Sequence, residues 1–193
     1  MRSPRERMVV SAALLIRERG ARATAISDVL AHSGAPRGSA YHHFPGGRTQ
    51  LLCEAVDFAG DHIAALIAEA DSGLTLLDTL IGKYREQLTA TEFRAGCPIA
   101  AVSVEAGFDE DDHDRMAPVV ERAGAAFERW SDLITQRFIA DGIRAERAGE
   151  LAEFATAALE GALLLARVRR DLAPLDLVHR EVRELVERNL PHE

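Results

Sequence analysis

The 193-residue chain is 47% hydrophobic, only 5% aromatic, and carries a formal net charge of −8. That length suits one large domain or a small one joined to a larger one, and abundant Ala and Leu beside few aromatics favour helices over sheets. No apolar run is long enough to span a bilayer. The two cysteines, Cys53 and Cys97, lie far apart and outside any metal-ligand spacing, which speaks against a disulfide scaffold or a zinc site and suits reduced thiols in a cytoplasmic protein.

Residues 8–16, MVVSAALLI, follow three Arg in the manner of a secretory leader, but they run into Arg17-Glu18-Arg19 with no small-residue cleavage site. The pattern instead predicts a first helix from about Pro4 to Arg19, with Met8, Ala12, Leu15 and Ile16 on one face and Gly20 as its stop. Thr24 and Ser27 are candidate caps of a second helix reaching about Ser33, and Gly34 makes the turn. Pro36 fits the first turn of a third helix, where its missing N–H costs nothing; that helix is expected to run to about Phe44, before Pro45-Gly46-Gly47 breaks the chain. Two short helices around a glycine turn, the second rich in small residues, form a unit that can enter a DNA major groove. The small side chains let the backbone come close while Arg37 and the rings of Tyr41, His42 and His43 reach bases and phosphates.

The charge distribution agrees. Residues 1–50 hold 8 Arg against 3 acids, a net of +5, while the other 143 residues hold 15 basic and 28 acidic groups, a net of −13. A basic amino-terminal module on an acidic body binds a polyanion through one face only.

Helical period continues to the end of the chain, with no sustained strand-type alternation. A long helix is expected from about Thr49 to Ala70. The next covers residues 75–91, with Leu76, Leu77, Leu80, Tyr84 and Leu88 inward. Pro98 starts a short helix carrying Ile99, Val102 and Val104, and Asp109 to Asp114 reads as a polar loop. Met116 to Ala140 gives a long helix with a stripe of Val120, Ala123, Phe127, Trp130, Ile134 and Phe138. Residues 145–169 are apolar on most faces from Leu151 to Val168, which calls for cover on both sides. Pro174 opens a last helix with Leu175, Val178, Val182, Leu185 and Val186 in one stripe. The last two helices, about 145–169 and 174–190, are candidates for a four-helix interface with a second copy, the alternative being an ordinary intramolecular core. The expected fold is all-α with about nine helices: a three-helix head over residues 1–48 and a helical body over residues 49–193.

Several stretches together resemble the tetracycline-repressor (TetR) family of bacterial regulators. They are the first helix ending in Arg19-Gly20, the Thr24 to Gly34 segment, and Ser39-Ala40-Tyr41-His42-His43-Phe44 followed by Gly46-Gly47-Arg48 and Leu51-Leu52. The stretch APRGSAYHHFPGG, with Gly96-Cys97-Pro98-Ile99-Ala100-Ala101-Val102, is similar to the subgroup of lincomycin- and flavonoid-responsive repressors. The resemblance implies a homodimer with helix-turn-helix heads on effector-binding bodies. Such a protein represses nearby genes from a palindromic DNA operator until a small molecule releases it. Ala40 stands where a larger aliphatic residue is usual in the family, and Ala35 where Val is common.

The candidate DNA-binding residues are Thr24, Ser27, Arg37, Gly38, Ser39, Tyr41, His42, His43 and Arg48. Arg37 can bridge a guanine edge or bind phosphate, Gly38 admits the backbone, Ser39 reaches a base or phosphate, and Tyr41 packs on a thymine methyl or donates to phosphate. The resemblance places a phosphate contact at His43. Thr24 and Ser27 flank a helix start that attracts phosphate, and Arg48 is a second backbone clamp. Phe44 reads as core.

For the effector, an apolar or aromatic small molecule, the candidate pocket residues are Phe58, Tyr84, Phe93, Phe127, Trp130 and Phe154. Glu160 sits inside an apolar helix and needs a partner if buried. The acidic run 109–114 does not match a calcium loop, and no catalytic, phosphate-loop or zinc motif is present, so neither metal nor cofactor is expected and the chain does not read as an enzyme. The alternatives are an activator or partner-controlled regulator of the same fold, and a helical enzyme whose basic head only binds substrate.

Overall fold

The computed structural model describes residues 2–105 and 113–191. Among them are nine helices and no strand: α1 (Pro4–Arg19), α2 (Ile26–Ser33), α3 (Ser39–His43), α4 (Gly47–Glu69), α5 (Gly73–Ala90), α6 (Pro98–Ser103), α7 (His113–Ala140), α8 (Ala145–Arg169) and α9 (Ala173–Glu187). They form two compact units, Met1–His62 with Cys97–Phe127, and Ile63–Gly96 with Glu128–Glu193.

The first unit is organised around α1, which packs against α2, α3 and α6. Ser3 starts the helix through a reciprocal cap: Ser3 Oγ accepts the Glu6 N–H at 3.2 Å, and the Glu6 carboxylate accepts the Ser3 N–H at 2.7 Å. Met8, Ala12 and Ile16 are fully buried, as expected, and are joined by Val9, Ser11 and Ala13, whereas Leu15 is half-buried. Burying side chains of the size of Met8, Ile16, Leu51 and Phe44 contributes about 1.5–3 kcal/mol each, so this unit carries its own core. Gly60 lies against Ala126, so α4 and α7 cross closely there.

Three expected boundaries in this unit move. Neither Thr24 nor Ser27 caps α2; the N-cap is Ala25, whose N–H is donated to the Asp28 carboxylate at 3.4 Å. Helix α3 starts at Ser39 rather than Pro36, because the Ser39 N–H returns to the Pro36 carbonyl at 2.9 Å and closes a turn over Arg37 and Gly38. Helix α4 starts at Gly47 and so takes in Arg48. Val104 lies just past α6 and is exposed. Residues 109–112 of the expected polar loop lie outside the described residues, and His113 already opens α7.

In the second unit α9 packs on α5 and α8. Leu76, Leu77, Leu80, Tyr84 and Leu88 all point inward from α5. At the start of α5, Gly73 donates its N–H to Asp141 at 2.6 Å, and a side chain there would collide with the Phe138 ring. Trp130, Ile134 and Phe138 of α7 are buried, and Leu175, Val182 and Val186 of α9 close the core. Helix α8 is covered by its own chain on one side only: Leu151, Leu163 and Ala166 are buried, while Phe154, Leu164, Leu165 and Val168 are exposed in the single chain.

Asp78 on α5 ties that helix to α9, accepting from His179 Nε2 at 2.7 Å and from Arg183 at 2.8 Å. Burial alone would raise the Asp78 carboxyl, but the hydrogen bonds from His179 and Arg183 outweigh it and hold the group below the ordinary aspartate range. A depressed carboxylate stabilises the fold above its unfolded-state pKa, and that contribution disappears as pH falls through the lowered value. Asp78→Asn is therefore expected to cost less than about 1 kcal/mol at neutral pH, because the site is half-exposed. Thermal melts as a function of pH check this: the variant and the parent should converge in acid, and a constant offset at every pH would count against it.

Candidate nucleic-acid interface and effector cavity

The head's chemistry begins at the turn between α1 and α2. Gly20 ends α1 with φ +89° and donates its N–H to the Ile16 carbonyl at 2.8 Å. Thr24 is buried, and its hydroxyl donates to the Gly20 carbonyl at 2.7 Å. Arg48 Nε donates to the Thr24 carbonyl at 2.9 Å, while its Nη2 donates to the carbonyls of Ala21 at 2.6 Å and Arg22 at 2.9 Å. Thr24 and Arg48, expected at the DNA surface, are thus engaged in holding this turn: the Thr24 hydroxyl is turned inward, while Arg48 commits Nε and Nη2 to three carbonyls and keeps the two N–H groups of Nη1.

The other expected contacts face outward. Arg37, Gly38 and His42 are exposed, Tyr41 is 70% exposed, and Ser27 is exposed in the first turn of α2. Ser27, Arg37 and Tyr41 line one groove together with Ile26, Leu30, Ala31 and Ala35. Ser39 is half-buried and its hydroxyl donates to the Pro36 carbonyl at 2.6 Å, so it secures the turn that presents Arg37. The His42 and His43 rings meet edge-on, 5.1 Å between centroids, with His42 the more exposed. Beneath them Ala40 and Phe44 are buried, and the Arg5 guanidinium covers the Phe44 ring at 5.4 Å. The five-residue α3 is therefore anchored by two core residues and displays its remaining face.

The second unit contains a cavity of ≈ 50 Å³ lined by residues of α4, α5, α7, α8 and α9. Its wall is almost wholly apolar, from Ile63, Ile67, Leu76, Leu77, Leu80, Ile134, Phe138, Leu159, Val182 and Val186, interrupted by Tyr84, Trp130, Thr156 and Glu160. Among the expected pocket residues the fold brings Tyr84 and Trp130 together here. Phe58 instead borders a surface groove of the first unit beside Arg5 and Asp61; Phe93 and Phe127 are half-buried away from the cavity; Phe154 is exposed. Sequence reading passed over Thr156, whose buried Oγ1 has no hydrogen-bond partner among the described residues. A buried polar atom in that state is unfavourable unless water or a ligand satisfies it. Cys53 and Cys97 are both buried, and burial pushes the Cys53 thiol up, which suppresses thiolate chemistry there. No group of three or more His, Cys, Asp or Glu among the described residues could hold a metal ion, and no helix is long and apolar enough to cross a membrane.

Comparison with known proteins matches both parts of the chain. Residues 9–55 match the family described as bacterial regulatory proteins, tetR family, and residues 74–181 match the C-terminal domain of LmrA/YxaF-like transcriptional regulators. An HTH-type transcriptional regulator of Mycobacterium tuberculosis strain H37Rv is 75% identical over 191 residues, covering 99% of this chain and 98% of the relative. The HTH-type transcriptional regulator LmrA of Bacillus subtilis strain 168 is 27% identical, covering 89% of this chain and 90% of that protein. Among solved structures, a TetR transcriptional regulator from Chloroflexus aurantiacus superposes with a TM-score of 0.72 at 29% identity, over 97% of this chain and 96% of that one. A TetR regulatory protein from Rhodobacter sphaeroides shares the fold with a TM-score of 0.77, over 94% and 98% of the two chains. These relatives are transcriptional regulators rather than enzymes, and the family match over residues 9–55 takes in α2 and α3: the chain belongs to the TetR family of bacterial transcriptional regulators.

Proposed function

We propose that this regulator is a homodimeric repressor that reads a palindromic operator with residues 1–48 and is released by a small molecule bound within residues 49–193. The observation that carries the DNA reading is the groove shared by Ser27, Arg37 and Tyr41, set on a net-positive head. Arg37 takes the base-reading role, with Tyr41, His42 and the more recessed His43 on phosphate or thymine methyl groups. Gly38 supports close approach, and Ser39 supports the turn. Thr24 and Arg48 hold the head's shape from behind. Arg37→Ala is expected to cost about 1–3 kcal/mol of operator binding or to relax base preference at one position in each half-site. Binding of wild-type and variant to duplexes selected from random DNA measures this; equal affinity and equal selectivity would remove Arg37 from the interface.

The effector reading rests on the cavity. At ≈ 50 Å³ it accommodates only about three or four water-sized groups, since one water needs about 10–15 Å³. A larger ligand enters by moving wall side chains. Among the described residues no Lys, Arg or His lines the cavity, so the favoured effector is neutral or cationic, largely apolar, and presents one hydrogen-bonding group to Thr156. Helix α4 begins in the head and contributes Ile63 and Ile67 to the cavity wall, which supports it as the element that carries the effector's influence. Effector binding must favour the conformation that binds DNA poorly, and operator binding must then weaken effector binding by the same factor.

A further inference from the structure

We propose that Glu105 is the positioning residue that locks the turn between α1 and α2, and with it the DNA-reading pair α2–α3, to the segment emerging from α6. The proposal rests on the operator-binding reading above. Glu105 Oε2 accepts the Ala21 N–H at 2.9 Å and the Arg22 N–H at 3.0 Å, across 84 and 83 residues of chain. The carboxylate fits because Gly20 has no side chain: a Cβ on Gly20 would collide with Glu105 Oε1.

The turn's polar groups are thereby held from two sides. Its amides at 21 and 22 go to Glu105, and its carbonyls at 21, 22 and 24 go to Arg48. Glu105 supplies acceptors from the α6 side, and Arg48 supplies donors from the start of α4. The turn closes on itself through the Thr24 N–H on the Ala21 carbonyl at 3.0 Å and the Thr24 hydroxyl on the Gly20 carbonyl at 2.7 Å, and these two side chains fix the closed turn to its neighbours.

A carboxylate beside the C-terminus of α1 faces the negative end of that helix, which opposes it. Its retention there depends on the two amide hydrogen bonds. A displacement of α6 by an ångström or two lengthens both hydrogen bonds beyond the useful range. Opening releases the turn, and α2–α3 loses its fixed bearing on α1. Arg37 stays on the head in that state but is no longer presented at a defined angle, so operator affinity falls while nonspecific phosphate attraction persists.

Glu105→Ala and Glu105→Gln separate this role from that of a surface charge. Alanine removes the acceptor; glutamine loses the charge and keeps a carbonyl oxygen able to take the same N–H groups. With a duplex selected from random DNA by the wild-type protein, Glu105→Ala is expected to bind at least tenfold more weakly, and Glu105→Gln within about threefold of wild type. Both are measured well below the unfolding temperature. The slope of log affinity against log salt should not change in either, because no phosphate contact is removed. Amide hydrogen exchange in the DNA-free wild-type chain provides the second reading: the Ala21 and Arg22 amides should be protected although neither belongs to a helix. It stands even if Glu105→Ala does not fold. Alanine binding within twofold of wild type, a glutamine variant as weak as alanine, or unprotected amides at 21 and 22 would each overturn the proposal. A wild-type protein that selects no duplex would instead defeat the operator-binding reading, with the exchange result still reporting on the lock.

Discussion

A chain carrying Glu at both Leu165 and Val168 is expected to remain folded, sediment as a monomer and lose specific operator binding. The stripe Phe154, Leu165 and Val168 runs along one side of α8, with Leu164 beside it and Leu177 exposed on α9; Val168 is 84% exposed and Phe154 53%. Gly161 and Ala158 fall between the larger members of the stripe, so a facing helix can approach closely. Monomeric proteins seldom leave such a row open to water, and apolar side chains of this size contribute about 1.5–3 kcal/mol each when buried. In the proposed dimer, two carboxylates placed there would meet their own symmetry mates across an isologous interface and could not both be desolvated without partners. Because the positions are exposed in the single chain, the substitutions should change its stability by only about 0.5 kcal/mol. The loss in DNA binding is much larger. Linking two half-site contacts in one particle raises affinity by about 10²–10⁴, and a monomer forfeits that factor. Sedimentation, thermal melting and a gel shift on the same preparation decide it. A variant that stays dimeric, or a monomer that binds the operator at full strength, would remove the α8–α9 face from the account.

Arg48→Ala carries the second large effect, this time on the head itself. The substitution strips the donors from the carbonyls of Ala21, Arg22 and Thr24 in a partly buried turn. Hydrogen bonds to a charged group contribute about 1.5–3 kcal/mol each, and part of that is recovered when water reaches the turn, so a net loss of about 2–4 kcal/mol is expected. Lysine should restore little, since an ammonium cannot fork across three carbonyls as a guanidinium does. Denaturant titration measures the stability change. The salt dependence of DNA binding separates the two roles open to Arg48: a phosphate clamp reduces the slope by about 1 when removed, whereas a clamp on the turn weakens binding with the slope intact.

These residues also show where sequence reading reaches and where it stops. Helices α1, α5 and α9 are legible because each repeats an apolar face over several turns and starts or stops at a Pro, Ser or Gly signal. The short α3 is legible as a motif but not in its start. Pro36 suits the first turn of a helix, yet the Ser39 N–H and hydroxyl both return to its carbonyl and make a separate turn first. Thr24 has the composition of a cap or a phosphate contact; only the fold shows that its hydroxyl is turned inward to Gly20. Facing was the harder question in the second unit. Tyr84 and Trp130 lie on helices with one buried face, so periodicity orients them. Phe154 lies on a helix apolar nearly all round, where periodicity cannot say which side is covered by the chain itself. Glu105 leaves no sequence signature at all: its partners are backbone amides more than eighty residues away, and its room is made by the absence of a side chain at Gly20.

The central claim is that the positively charged head presents the groove beside Arg37 to duplex DNA twice in one particle. Footprinting of the wild-type protein on a duplex it has selected tests this most directly. The account predicts two protected half-sites related by a twofold axis, with centres about 34–36 Å apart or a multiple of that, and one protein dimer bound. A single unsymmetrical footprint, or uniform protection that modest salt erases, would contradict it.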